Sequence, residues 1–278
     1  MHTSIILVVK DEEKDIRNCL GSLLKQTHDN LEIIILDDQS TDNTVSIINS
    51  IKSSKLKLYS TYNKNIKGHA NRRNYALSKA RGEYIFFTDG DCIAHYNWVK
   101  EGLKVFQETQ CLGVEGRTLY EAKYGITVSD YVTQRLIPGG FMTCNVAYLR
   151  SAILNAGGFD PKFKHIYEDR DLGMKVSQSG KIVFEPNMLI FHQQKKVTTK
   201  TLFTRAQRAG DMVYFDMKYG RKASEYISRN IIYPEHLLII LIPPLILISS
   251  RVTSFKDIYI AILKYFSFIY EIMMIWKN

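Results

Sequence analysis

Phe86-Phe87-Thr88-Asp89-Gly90-Asp91-Cys92 decides how the whole chain is read. The residues leading into it, Glu83-Tyr84-Ile85-Phe86-Phe87-Thr88, are β-branched and aromatic and follow the turn residue Gly82. They read as a buried strand of a parallel sheet. Asp89 and Asp91 therefore sit where the strand ends, at the edge where open α/β sheets gather their ligands. Two carboxylates separated by one glycine can face a divalent cation and a sugar or phosphate oxygen together, and Gly90 leaves room for a close ligand. An ordinary acidic turn is the bland reading of the same residues, since Asp and Gly both favour turns.

Working toward the N-terminus, the stretch has company. Ser4 to Val9 is an apolar run of strand length, and Asp11 reads as the N-cap of a helix whose buried face is Ile16, Cys19, Leu20, Leu23 and Leu24. Leu31 to Leu36 is a second strand ending in Asp37-Asp38-Gln39-Ser40-Thr41-Asp42, which leads into a second helix with Val45, Ile48 and Ile51 on its apolar face. Lys55 to Ser60 is a third strand, and Gly68 to Ala80 a helix closed by Gly82 that carries Arg72, Arg73 and Asn74. Strand and helix alternate as in a mostly parallel sheet with right-handed crossovers. Val9, Asp38 and the Asp89-Gly90-Asp91 turn then all fall at carboxyl ends of strands, so they converge in space. Asp38 is either a helix cap or an acceptor for a nucleobase N–H; Arg73 is either a solvated charge or a cation beside a nucleotide.

Toward the C-terminus, a helix near Asn97 to Gln107 and a strand near Leu112 to Arg117 follow. Gly139 to Ala147 reads as a glycine-led strand, with a helix to Ala156 and a turn at Gly157-Gly158-Phe159-Asp160. In Tyr167-Glu168-Asp169-Arg170-Asp171-Leu172, three carboxylates open a helix, where they favour its dipole; one of them, facing the crevice, can instead serve as a general base. Lys181 to Glu185 and Leu189 to Phe191 read as two short strands, the second ended by His192. A lone histidine is commonly a surface or core residue, but neutral imidazole is also a metal ligand and would complete a site that otherwise has only aspartates.

Composition narrows the classes. At 278 residues, with 45% hydrophobic and 23% charged side chains, the chain can bury a sizeable core and is not disordered. A net charge of +9 suits an anionic partner, with nucleotide diphosphate, phospholipid surface and nucleic acid all in range. Cys19, Cys92, Cys111 and Cys144 are widely spread without a C-x-x-C pair, so neither a zinc site nor a disulfide framework is expected. Met1-His2-Thr3 passes directly into an apolar strand, so a secretory leader is not expected.

From about Ser4 to Phe191 the chain resembles the family 2 glycosyltransferases of the GT-A fold, inverting enzymes that use nucleotide-diphospho-sugars. Val8-Val9-Lys10-Asp11-Glu12-Glu13 resembles the family's P-T-Y-N-E loop, and Ile35-Leu36-Asp37-Asp38-Gln39-Ser40-Thr41-Asp42 its V-D-D-G-S-T-D. Arg73-Asn74 with Ala76 is similar to its A-R-N-x-A helix, and Gly82-Glu83-Tyr84-Ile85 leads into its D-x-D. Gly157-Gly158-Phe159-Asp160 and Glu168-Asp169-x-Asp171-Leu172 look like its G-G-F-D and E-D-x-D-L. The resemblance implies a GT-A, Rossmann-like α/β fold. It also implies that Val9 and Glu12 lie beside the nucleobase, that Asp38 hydrogen-bonds it, and that Arg73 and Asp89 hold the nucleoside. Asp91 would bind the metal, Mn2+ or Mg2+, and Asp169 would be the base. Val8 and Val9 replace the family's proline and threonine, which removes a hydroxyl contact to the base. The Gln-x-x-Arg-Trp signature of processive synthases is missing, although Arg205, Gln207 and Arg208 lie in that part of the chain, so transfer of one sugar is expected. Lys195, Lys196, Arg205 and Arg208 either neutralise the diphosphate or an anionic lipid acceptor, or form a solvated basic face.

The expected organisation is a catalytic domain over residues 1–230, with a nucleotide-sugar half (1–118) and an acceptor and base half (119–230), followed by a membrane-associated segment (231–278). Leu237 to Ile248 is interrupted by Pro243-Pro244 and is too short for the ~30 Å hydrocarbon core. Ile258 to Trp276 is long enough but carries Lys264 and Glu271 on one face. A broken apolar hairpin in the membrane is expected, with docked core helices as the other reading. Arg221, Lys222 and Arg229 before it place the catalytic domain on the cytoplasmic side. The expected partners are a nucleotide-diphospho-sugar, a glycan or polyprenyl-linked acceptor and membrane lipid, with no nucleic acid. Two other functions use similar features: a haloacid-dehalogenase-type phosphohydrolase, whose D-x-D is followed two residues later by Thr or Val where this chain has Ile93, and a non-catalytic nucleotide-sugar or glycolipid binding module.

Overall fold

The computed structural model describes residues 1–62, 66–121, 130–131, 135–193, 195–196, 209–219 and 262. Strands β1 (Thr3–Val9), β2 (Leu31–Asp37), β3 (Leu56–Ser60) and β4 (Tyr84–Phe87) run parallel, joined through helices α1 (Ile16–Leu24), α2 (Thr44–Ser50) and α3 (His69–Lys79). Then come β5 (Cys92–Ala94), α4 (Trp98–Thr109), β6 (Gly113–Glu121), β7 (Asp130–Tyr131), β8 (Val146–Leu149), α5 (Arg150–Asn155), α6 (Glu168–Ser179), β9 (Ile182–Gln193), β10 (Lys195–Lys196) and α7 (Ala209–Lys218). Eight strands make one sheet in the order β3-β2-β1-β4-β8-β6-β9-β5.

The alternation of side chains along β1, β2 and β4 sorts the core into two layers. Ile5, Leu7, Ile33, Ile35 and Phe86 face Leu20, Leu23 and Trp98 on one side of the sheet. Ile6, Ile34, Leu36, Ile85 and Phe87 face Leu77, Phe159 and Leu172 on the other. Burial on both faces explains why these strands are continuous apolar runs. Gly82 is required by a close approach: a Cβ there would lie 2.4 Å from the Ser4 backbone nitrogen.

Several expectations are corrected. The sheet is mostly parallel as expected, β6 and β9 running with β1–β4, but two strands are reversed: β8 is antiparallel to both β4 and β6, and β5 is antiparallel to β9. Gly139 to Asn145 is a loop, and only Val146–Leu149 is strand. The two strands expected between Lys181 and Phe191 are one, β9, whose pairing with β6 shifts register between Gly116 and Arg117. Asp11 does not cap α1, which begins at Ile16. It adopts a left-handed backbone (φ 53°) and accepts hydrogen bonds from the Thr41 N–H and hydroxyl instead.

Phe163–Tyr167 belongs with α7 in a second unit. The Asp211 carboxylate accepts the Lys164, His165 and Ile166 N–H groups, while Phe163 and Tyr167 pack against Phe215. The expected apolar hairpin of residues 231–278, Ile262 apart, lies outside the described residues, as do Arg205, Gln207 and Arg208. Among the described residues, no helix is long and apolar enough to cross a membrane.

Candidate active site

The carboxyl ends of β1, β2 and β4 meet as the topology requires. The Asp38 N–H donates to the Val9 carbonyl at 2.8 Å, tying the end of β2 to that of β1. A Cβ on Gly90 would stand 2.9 Å from Val9 Cγ1 and 3.2 Å from Glu12 Cγ, so this glycine makes room for the first loop rather than for a ligand. Val9, Glu12 and the D-x-D turn are therefore neighbours. The Glu12 N–H donates to Thr44 Oγ1 and the Glu13 N–H to Asp42, which clamps the first loop onto the start of α2.

Asp38 is buried and accepts from the Thr61 hydroxyl at 3.2 Å. Its Oδ1 lies 2.8 Å from Arg72 Nε and its Oδ2 3.8 Å from Lys10 Nζ. Arg73 points elsewhere: it pairs with the buried Glu168, in the field of Asp89 and Asp169. Adjacent residues on a helix diverge by about 100°, so α3 sends one guanidinium to each side of the site. The sequence motif singled out Arg73 and missed Arg72 and Lys10.

Asp91 is buried, and His192 Nε2 lies 3.7 Å from its Oδ1. His192 does not terminate a strand; it sits inside β9 and pairs in register with Cys92 on β5. The Gln193 N–H donates to the Asp91 carbonyl at 3.0 Å, which fixes the two residues against each other. Ligand atoms of Asp89, Asp91, Cys92 and His192 all lie within 4.8 Å of one another. Two carboxylates and an imidazole are a donor set that fits a divalent cation. Cys92 was not expected here; only the register of β5 against β9 brings it in. Burial and the neighbouring charges of Asp89 and Asp91 push its thiol well above the ordinary range.

The other carboxylates stand at the start of α6. Asp169 is partly exposed, with Oδ1 accepting the Arg170 N–H at 2.7 Å and Oδ2 the Thr143 N–H at 3.4 Å. Desolvation and the adjacent Glu168 push it up to about 7, against the opposing pull of Arg73 and the two N–H groups. Asp171 is fully buried, with Lys175 Nζ 3.1 Å from its Oδ2. The start of α6 is held in place by the preceding turn. Asn74 donates to the Phe159 carbonyl (2.8 Å) and accepts the Phe159 N–H (2.9 Å), while Lys175 donates to the Gly158 carbonyl. Gly157 and Gly158 take positive φ values of 77° and 71°, which explains a glycine pair there.

The D-x-D turn lies at the carboxyl edge of a parallel half-sheet, and both Asp89 and the helix-borne Asp169 act on the Arg73 charge, an arrangement of the GT-A type. Solved structures share this fold. Staphylococcus aureus TarS in complex with UDP-GlcNAc matches with a TM-score of 0.61 at 18% identity, over 96% of this chain and 89% of that one. A Pyrobaculum calidifontis mannosyltransferase in complex with GDP-Man and Mn2+ matches at 0.62 and 15%, over 99% and 86%. Residues 4–124 match the model of glycosyl transferase family 2. An Escherichia coli protein, UDP-Glc:alpha-D-GlcNAc-diphosphoundecaprenol beta-1,3-glucosyltransferase WfaP, is 46% identical over 183 residues, 64% of this chain and 70% of that protein. Glycosyltransferase GlyG of Streptococcus pneumoniae is 26% identical over 240 residues, 82% and 79% of the two chains. The chain belongs to glycosyl transferase family 2, and it is a nucleotide-sugar glycosyltransferase. That membership displaces the phosphohydrolase and non-catalytic readings.

Proposed function

We propose that this enzyme moves a single hexose, with inversion, from a uridine diphosphate donor to a hydroxyl of a sugar–diphosphate–polyprenol acceptor. The observation that carries the reading is the placement of Asp169, a half-buried carboxylate at the start of α6 that shares the Arg73 charge with Asp89 of the D-x-D turn; burial and Glu168 raise its proton affinity to about 7. A carboxylate tuned in this way accepts a proton from a hydroxyl more readily than one of ordinary acidity. Asp171 is fully enclosed and paired, and serves the helix. The choice of donor and acceptor is supported by the 46%-identical E. coli relative, and single transfer by the missing Gln-x-x-Arg-Trp signature.

On the donor side, Asp38 accepts an N–H of the base, with Val9 and Glu12 beside it and Arg73 and Asp89 toward the nucleoside. Asp91 and His192, with Asp89 and Cys92 adjoining, would hold the cation; the carboxylates suit Mn2+ or Mg2+, and the imidazole tilts the set toward Mn2+. When bound, that ion supplies positive charge against the leaving diphosphate. The acceptor oxygen attacks the anomeric carbon, the bond to the diphosphate oxygen breaks with its electron pair, and Asp169 takes the hydroxyl proton. Residues 231–278 hold the enzyme at the cytoplasmic membrane face, a reading supported by their apolar sequence and the preceding Arg221, Lys222 and Arg229.

The test is incubation with UDP-glucose, Mn2+ and a synthetic N-acetylglucosaminyl diphosphate carrying a phenoxyalkyl tail, with the product analysed by mass spectrometry and NMR. One added hexose in the anomeric configuration opposite to the donor's is expected. Serial addition, retained configuration or donor hydrolysis alone would overturn the proposal.

A further inference from the structure

Glu115, the third residue of β6 and only 2% exposed, stands in register with Val146 on β8 and Phe184 on β9, but its carboxyl group is turned to a loop. Its Oε2 accepts the Gly139 N–H at 2.7 Å, and its Oε1 accepts those of Gly140 (2.8 Å) and Phe141 (2.7 Å). Arg135 closes the arrangement, with Nε 3.5 Å from Oε1 and its terminal nitrogen donating to the Pro138 carbonyl at 2.6 Å. The loop is shaped to this carboxylate. Gly139 and Phe141 adopt positive φ values of 92° and 54°, and a Cβ on Gly140 would meet the Arg135 guanidinium at 2.6 Å.

The far end of the same loop is anchored as firmly. Asn145 accepts from the Trp98 indole N–H (2.8 Å) and donates to the carbonyls of Arg117 and Met188 (2.8 and 3.0 Å). Between the two anchors lies Thr143, whose N–H is directed at Asp169 Oδ2. The Phe141 ring also packs where a Cβ of Gly173 on α6 would be, 2.1 Å from its Cγ, so the loop is in contact with the helix that carries Asp169. Burying a carboxylate in a sheet is costly unless it is fully hydrogen-bonded, and an apolar residue would fill the strand position at less cost. What the carboxylate adds is the conformation of the loop.

We propose that Glu115 is a positioning residue for the transfer reaction: by gathering the Gly139, Gly140 and Phe141 amides it holds the Thr143 N–H against Asp169. The inference rests on Asp169 as the base. The groups facing Asp169 are Glu168 on its own helix, Arg73 from α3, Cys144 and the Thr143 N–H from the loop and Tyr148 from β8, with the Arg170 N–H at its base. A hydrogen bond to the ionised form lowers its proton affinity, so loosening the Thr143 amide raises it.

The test is Glu115→Gln in the full chain, in which an NH2 replaces one acceptor and faces an N–H. Steady-state kinetics with UDP-glucose and the lipid-diphosphate acceptor should show kcat reduced about tenfold, with UDP affinity in Mn2+ unchanged. The rising limb of the kcat–pH profile should move from near 7 to higher pH by about half a unit. Hydrogen exchange should speed up at residues 139–143 while β1 and β2 keep their protection. If those amides exchange faster but kcat and the pH limb stay parental, or if UDP affinity falls in step with kcat, Glu115 does not position the base. Should Glu115→Gln fail to fold, Arg135→Gln removes only the guanidinium behind Gly140; a kcat loss of about threefold with the same direction of pH shift is expected, and a parental profile overturns the proposal. Parental turnover in Asp169→Asn would instead remove the base assignment itself, an outcome distinct from either.

Discussion

In the parallel half of the sheet, β3-β2-β1-β4, each functional carboxylate hangs from the end of a strand and is held by the loop that follows it. In the other half, β8-β6-β9-β5, the working groups are supplied across distance: His192 by register against Cys92, Asp169 by a helix start braced on Asn74, and the Thr143 amide by a buried glutamate on another strand. In the proposed function the first half binds the donor, and the second places a proton acceptor and an imidazole next to it. Parallel strands point all their carboxyl ends at one crevice, so local sequence suffices to assemble a donor site. In the other half β8 and β5 run against β6 and β9, so its strand ends do not all open on one edge and tertiary contacts must do the assembling.

This contrast predicts that substitutions in the two halves fail differently. The largest effect is expected for Asp91→Asn, which keeps the shape but removes the charge a hard cation needs. Turnover should fall about 1,000-fold, and UDP affinity should lose its dependence on Mn2+ in calorimetric titration. Metal-dependent binding at parental strength would show that Asp91 is not a ligand.

Asp171→Asn should instead damage the fold. It leaves Lys175 beside a neutral partner in a fully buried position, at a cost of about 3 kcal/mol in urea unfolding, while the folded fraction keeps its transfer rate. A large rate loss at unchanged stability would move the base from Asp169 to Asp171. Asn74→Ala removes both hydrogen bonds to Phe159 and should cost about 2 kcal/mol by the same measurement, with a modest loss of kcat.

The sharpest effect is in pH. The proton acceptor must be ionised, so kcat should rise with pH through about 7. Stability should run the other way. The folded state holds the Asp169 proton more tightly than the unfolded chain, so the folded protein loses stability as pH rises from the ordinary carboxylate range toward 7. Asp169→Asn should flatten that slope, which comparing urea midpoints at pH 5 and pH 7.5 would reveal.

The same division governs what could be read from sequence. The strand ends carrying Val9, Asp38, Asp89 and Asp91 were legible because each lies in an apolar run with its own punctuation. Arg73 was legible as a motif, but Arg72 was not, since only the helical rotation shows that it turns to Asp38. Gly139 to Ala147 looked like a strand because its glycines precede an apolar run. Glu115 has its three amide donors at sequence separations of 24 to 26 residues, and no local pattern announces that. Cys92 was set aside for lack of a paired cysteine, whereas the sheet gives it a histidine and two aspartates as neighbours.

Asp169→Asn is the most direct test, measured as single-turnover sugar transfer to the lipid-diphosphate acceptor with UDP binding determined in parallel. Parental affinity for UDP and Mn2+ is expected together with transfer at least about 100-fold slower. Transfer at the parental rate, or loss of nucleotide binding together with transfer, would contradict the separation of a donor-binding half from a proton-accepting one.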